Sequence, residues 1–299
     1  MKILFTGASG FLGRYAAPRL ARDHEVIGTY GQDDAPIEGV SLVRLDLEDV
    51  AACRALMDSV KPDLVVHAAA ISRPGPCEAD PERAERVNVQ ATRVLAEASK
   101  QIIFYSTDLV YGGTDGPYRE TDPVSPISKY GCTKVDAEQA VLDSCEKSLV
   151  LRFATGYGWK RTGHTMFCDQ LYANIRSGEG MDLYRDQVRS FIYLKDAAEI
   201  LSRLVSKPAW PSGRDRIFNC GGLETMSRLR FGRLFCEGLR LDDTKIRETT
   251  IEAAGVNSPK DCSLNSSRLH EFTGFQPGTV QKGVSDMALE IPKGSRKKN

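Results

Sequence analysis

The sequence has no surplus of charge of either sign: 40 Lys and Arg stand against 40 Asp and Glu in 299 residues. At a pI near 6.9 it lacks the broad basic field that marks nucleic-acid and membrane-surface binders, and neither partner is expected. It also lacks any apolar run near the ~18 residues needed to cross a bilayer. Eight cysteines occur (Cys53, Cys77, Cys132, Cys145, Cys168, Cys220, Cys236 and Cys262), yet none forms a CxxC pair and no histidine cluster completes a zinc site. They read as reduced thiols, and no metal is expected. Fixed-period repeats and low-complexity stretches are absent. The opening MKILFTG reads as a strand rather than a signal peptide, so the cytoplasm is the expected compartment. The basic tail KGSRKKN reads as a solvated end.

What is present is an ordinary globular composition, 41% hydrophobic and 27% charged, arranged as an alternation. The runs KILFTG, EVIGTY, SLVRLDL, DLVVHAA, QIIFYST and SLVLRFA are separated by helical patterns near 11–22, 48–59, 80–99 and 128–147. Such alternation predicts an α/β fold, a Rossmann-type doubly wound parallel sheet, with seven sheet strands by residue 155. Beyond 156 the pattern loosens into helices near 165–177, 197–206 and 227–239 and short extended pieces RSFIYL and RIFNCGG. This division predicts a nucleotide-binding domain over 1–155, to which later segments return, and a smaller, mainly substrate-binding lobe over 156–299.

Directly after the first strand comes Gly7-Ala8-Ser9-Gly10-Phe11-Leu12-Gly13, a GxxGxxG turn that opens a helix. Glycines there permit a tight turn and close approach of backbone to ligand, so the helix N-terminal amides can hold a pyrophosphate. Gly7, Ser9, Gly10, Phe11, Leu12 and Gly13 are therefore candidate dinucleotide contacts. An NAD-selective site carries an acid at the end of the second strand to bind the adenosine ribose. Here that strand ends in Thr29-Tyr30-Gly31, with Asp33 and Asp34 slightly later, and Arg14 follows the third glycine. NADP is the expected cofactor, with NAD as the alternative.

Tyr130-Gly131-Cys132-Thr133-Lys134 is a YxxxK on a helical pattern, which projects phenol and ammonium from one face a turn apart. A lysine charge favours phenolate, letting Tyr130 exchange a proton with a substrate oxygen while hydride moves. Ser106-Thr107 end a strand about two dozen residues earlier, where a hydroxyl can bond the same oxygen.

These motifs, with GASGFLG, STDLVYGG, SKYGCTK, LRFATGYG and RSFIYLKD, resemble the extended short-chain dehydrogenase/reductase family over nearly the whole chain. The stretch STDLVYGGTDGPYRETDPVSPISKYGCTKVDAEQAV is most similar to dTDP-4-dehydrorhamnose reductase-like members, a group that includes the non-catalytic β subunit of methionine adenosyltransferase. The resemblance implies Thr107, Tyr130 and Lys134 as the catalytic trio, with Tyr130 and Lys134 also at the cofactor. It places Asp46 and Leu47 near adenine, Ala68, Ala69 and Ala70 along the cofactor cleft, and Asn88 at a structural position beside it. Phe153 to Thr155 would pass near the nicotinamide, and Arg189 would hold a substrate phosphate through its planar fork. Two departures fall in the substrate half: Ser258-Pro259 stands where relatives carry Arg-Pro, and WKRTGHTMFCDQ has no counterpart in the reductase pattern. The implied activity is NAD(P)-dependent reduction of a keto group on a nucleotide sugar. Epimerisation and a cofactor-binding regulatory role are the alternatives; Thr107-Asp108-Leu109 lacks the Asp-Glu pair of the dehydratases. Homodimerisation is also among the implications.

Overall fold

A computed structural model describes residues 1–159 and 166–291. The β-branched and aromatic runs fold into strands β1 (Lys2–Thr6), β2 (Glu25–Tyr30), β3 (Val40–Arg44), β4 (Leu64–His67), β5 (Ile102–Thr107) and β6 (Ser148–Phe153), joined by the strand Ile217–Cys220. All seven are parallel, in the order Ile217–Cys220, β6, β5, β4, β1, β2, β3. The chain reverses its direction of winding between β1 and β4, which opens a crevice at the carboxyl ends of those strands. Thus the doubly wound sheet forms, but six of its strands, not seven, precede residue 155. RIFNCGG supplies the seventh from beyond the lobe, pairing Phe218 with Leu151. An edge position needs only one neighbour, so a long excursion before it breaks no other ladder.

Each face of the sheet is sealed by helices. On one, α1 (Gly13–Leu20) and the helix Leu194–Val205 bury Ala16, Ala17, Leu20, Leu201 and Leu204 against Ile3, Phe5 and Ile103. The helix Ser267–Thr273 adds Leu269 to that core, so segments far beyond 156 cover the sheet. On the other face, α2 (Val50–Val60), Ala91–Glu97 and Lys129–Ser144 bury Cys53, Leu95 and Val141 against Leu4, Val65 and Phe104. The helix expected near 80–99 runs through Pro81–Glu85, a widened π-type turn at Arg86–Gln90, and Ala91–Glu97. No two of the eight cysteines are paired; seven are buried and Cys132 is half-buried.

The lobe is held by short strand pairs: Met181–Tyr184 with Ile246–Thr249 in parallel, and Val188–Ser190 with Thr225–Ser227 antiparallel. Phe191, Phe231 and Phe235 form the centre of its own core, the first two stacked with centroids 4.2 Å apart. The helices expected near 165–177 and 227–239 form as Phe167–Ser177 and Arg228–Leu239. Of the segment WKRTGHTMFCDQ, residues 160–165 lie outside the described residues, as does the basic tail. Among the described residues no helix is long and apolar enough to cross a membrane, and no group of acidic, His or Cys side chains gathers as a metal site.

Candidate active site

At the carboxyl end of β1 the chain turns through Gly7 at φ +74°, a left-handed conformation that glycine adopts without steric cost. A Cβ there would stand 2.9 Å from the Ala69 nitrogen, so the first glycine also lets the β4 loop close over the turn. Gly10 N donates to Gly7 O at 2.9 Å, and Arg14 N to Gly10 O at 3.0 Å, which starts α1. Gly7, Ser9, Gly10, Phe11, Leu12 and Gly13 all line a cleft of about 750 Å³, and Ala68, Ala69 and Ala70 line it as well. A glycine-rich turn ahead of a helix N-terminus fits a dinucleotide pyrophosphate.

The two expected adenine neighbours have other partners. Asp46 and Leu47 do not line this cleft: Asp46 Oδ1 accepts from Glu48 N at 3.0 Å, and Leu47 is buried beside Cys53 and Met57. Asn88 is also off the wall; its Oδ1 accepts from Ile71 N at 2.8 Å and its Nδ2 donates to Thr133 Oγ1 at 3.1 Å. It braces the loop after β4 against the Lys129–Ser144 helix. Arg14 is neither solvated nor free for a 2′-phosphate, because it pairs with Asp33 at 3.0 Å and donates to Ala35 O and Pro36 O.

Opposite the glycine turn, Thr107, Tyr130 and Lys134 converge on the same cleft. Ser128 caps their helix, its Oγ accepting from Gly131 N at 3.1 Å. A Cβ at Gly131 would lie 2.4 Å from Leu109 O. Only glycine lets this helix approach the turn after β5, and that approach brings Tyr130 to the same stretch of cleft wall as Thr107. Thr107 Oγ1 accepts from Leu109 N at 3.2 Å, which fixes its rotamer. Burial raises the Tyr130 phenol above its ordinary pKa, partly offset by the neighbouring Thr107 hydroxyl. The expected lowering by Lys134 is not found; burial pushes Lys134 itself down to about 7, with Glu138 opposing. The ammonium lies 4.0 Å over the Phe104 ring.

Glu138, one turn beyond Lys134, is a buried carboxylate that pairs with Arg152 at 2.8 Å and accepts from Ser106 Oγ. Its i+4 spacing from Lys134 was the only signal of it in the sequence. Arg189, expected at a substrate phosphate, does not line the cleft. It is 3% exposed; its Nη1 donates to Val188 O at 2.6 Å and Lys260 O at 3.1 Å, its Nη2 to Pro259 O at 3.0 Å, and its Nε lies 3.7 Å from Asp108 Oδ2. It stitches the lobe to the segment 259–260. The lobe wall carries instead Met166, Phe167, Cys168, Gln170 and Arg228.

Switch-point crevice, glycine turn and Thr-Tyr-Lys cluster together define an extended short-chain dehydrogenase/reductase. Over residues 1–292 the chain matches the model of the RmlD substrate binding domain, and it belongs to that family. It is 30% identical over 293 residues to methionine adenosyltransferase 2 subunit beta of Xenopus laevis, covering 93% of this chain and 85% of that one. It is 36% identical over 193 residues, 62% of this chain and 61% of the other, to a probable dTDP-4,6-dihydroxy-2-methyloxan-3-one 4-ketoreductase of Streptomyces antibioticus. Among solved structures, a hypothetical dTDP-4-dehydrorhamnose reductase from Sulfolobus tokodaii superposes with a TM-score of 0.80 at 28% identity, covering 95% and 99% of the two chains. The dTDP-4-dehydrorhamnose reductase of Bacillus anthracis, solved with NADP, gives 0.80 at 20% identity, with 97% and 99% covered.

Proposed function

We propose that this chain is an NAD(P)-dependent oxidoreductase that reduces a keto group on a nucleotide sugar, in the manner of dTDP-4-dehydrorhamnose reductase. The observation that carries this reading is the arrival of Thr107, Tyr130 and Lys134 on the same cleft as the glycine turn. A nicotinamide cofactor supplies the hydride when bound. Tyr130, kept protonated at neutral pH by its burial, gives its proton to the substrate oxygen, and Thr107 orients that oxygen. Lys134 holds the nicotinamide ribose. NADP is favoured over NAD because β2 ends without an acid and the nearest cleft acid, Asp33, is neutralised by Arg14. The protein is read as cytoplasmic, and a homodimer is compatible with the resemblance.

The test is mass analysis after incubation with NADPH and a panel of dTDP-, UDP- and GDP-linked keto sugars. Gain of two hydrogens on one of them is expected; no conversion of any would overturn the reading. Calorimetric titration with NADPH and NADH checks the cofactor. A second reading, a cofactor-binding regulatory subunit, is favoured by the 30% identity to a methionine adenosyltransferase subunit along 93% of the chain. Co-purification with a methionine adenosyltransferase, without sugar reduction, would support it.

A further inference from the structure

The lobe-side wall carries a guanidinium that none of these roles uses. Arg228 opens the helix Arg228–Leu239 directly after its cap Ser227, and its side chain reaches the cleft. Its Nε donates to Gln187 Oε1, while Gln187 Nε2 donates to Ser258 Oγ at 2.7 Å. Arg228, a donor only, takes the carbonyl end of the Gln187 amide, and Ser258 Oγ accepts from the other end and holds the amide against it. Phe167 supports the guanidinium face at 4.8 Å. The fork is held at Nε and across its plane, yet neither Nη has a protein hydrogen bond among the described residues. Arg189 is the contrast, with both Nη atoms engaged by main-chain carbonyls.

Burial, with the neighbouring charge of Arg189, lowers the Arg228 pKa to about 10 against the pull of Asp108. The group stays cationic at neutral pH, so the cleft presents a partly desolvated cation with two unused donor nitrogens. A two-oxygen anion matches that geometry, because parallel charge-assisted hydrogen bonds from the fork replace the lost hydration. We propose that Arg228 binds a two-oxygen anion of the substrate, either the diphosphate of the nucleotide or a carboxylate on the sugar ring, and that Ser258 and Gln187 position it. This rests on the nucleotide-sugar reading and relocates its anion contact from Arg189 to Arg228.

The experiment titrates NADP-saturated wild-type, Arg228→Gln and Arg228→Lys proteins calorimetrically with UDP, dTDP, UDP-glucose and UDP-glucuronate. A diphosphate contact is expected to weaken all four ligands by at least about tenfold in Arg228→Gln. A ring-carboxylate contact is expected to weaken UDP-glucuronate alone. In both cases Arg228→Lys falls between, since it keeps the charge and loses the fork, and NADP affinity stays within about twofold. Unchanged binding of every ligand by Arg228→Gln, or no binding of any by the wild type, overturns the proposal. If Arg228→Gln fails to melt cooperatively, Arg228→Lys carries the test by the same criterion. Wild-type turnover of keto sugars is read separately. Anion binding without turnover defeats the functional reading and leaves Arg228 assigned; turnover with an unaltered KM in Arg228→Gln does the reverse.

Discussion

The two walls of the cleft are built differently. On the sheet side every contributor sits within a few residues of a strand end or on one helix: the turn after β1, Ala68 to Ala70 after β4, Thr107 closing β5, and Tyr130 with Lys134. On the lobe side the wall comes from 166–170 and from Arg228, some sixty residues later, joined by two-stranded pairs and an aromatic core. A strand end in a parallel sheet has a fixed address, whereas a lobe segment acquires one only from its partners. On the proposed function, the sheet side would carry the chemistry, which tolerates little displacement, and the lobe side would be where substrate selection varies.

The sharpest break between the walls is Tyr130→Phe. It should lower turnover by about a hundred-fold to ten-thousand-fold, the usual worth of a general acid, while NADPH affinity measured by calorimetry stays within about twofold. Unchanged turnover would remove the proposed chemistry from the sheet side. Next comes the pair of lobe arginines. Arg189→Ala removes the ion-pair partner 3.7 Å from buried Asp108 and should cost about 3–5 kcal/mol in urea unfolding, whereas Arg228→Gln should change stability by less than about 1 kcal/mol. Equal losses would erase the distinction between a stitching and a binding arginine.

Gly7→Ala asks the same of the sheet side. A residue forced to φ +74° against Ala69 should cost about 1–3 kcal/mol and weaken NADPH binding more than tenfold. A thermal melt and a titration on one sample separate those two effects. The smallest effect concerns His67 at the end of β4, whose ring lies 2.6 Å from Thr6 Oγ1 and 2.8 Å from Thr92 Oγ1. Burial lowers its pKa from 6.5 to about 3. Between those values the unfolded chain binds a proton that the folded one refuses, so this contribution to stability is complete above 6.5 and is lost as pH falls towards 3. The slope should be about 1 kcal/mol per pH unit, and His67→Gln should flatten it in urea melts compared at pH 6.5 and 5.

The motif residues that were legible belong to contiguous patterns. GASGFLG encodes its own turn, and YxxxK fixes two side chains on one helix face by the 3.6-residue period alone. Gly131 was visible as a letter but not as a requirement, because the Leu109 carbonyl it must admit is twenty-two residues away. Asp46 and Leu47 have the expected positions beyond β3, yet a local turn and the core claim their side chains. In the sheet, the misreading was to expect seven strands by residue 155 where six form, since nothing local announces that an edge strand will come from beyond the lobe.

By itself the sequence determined the parallel sheet, the glycine turn that opens α1 and the Tyr130–Lys134 pair on one helix face. These depend on hydrophobic period, glycine content and spacing, all of which act within a few residues. Only the tertiary structure decided which arginine faces the cleft. RSFIYLKD and SRLRFGR look equally able to supply a cation, but three carbonyls and Asp108 surround Arg189, while Gln187, Ser258 and Phe167 hold Arg228 with its Nη atoms unused. A guanidinium goes where its donors are satisfied, and those partners lie as many as eighty residues away along the chain.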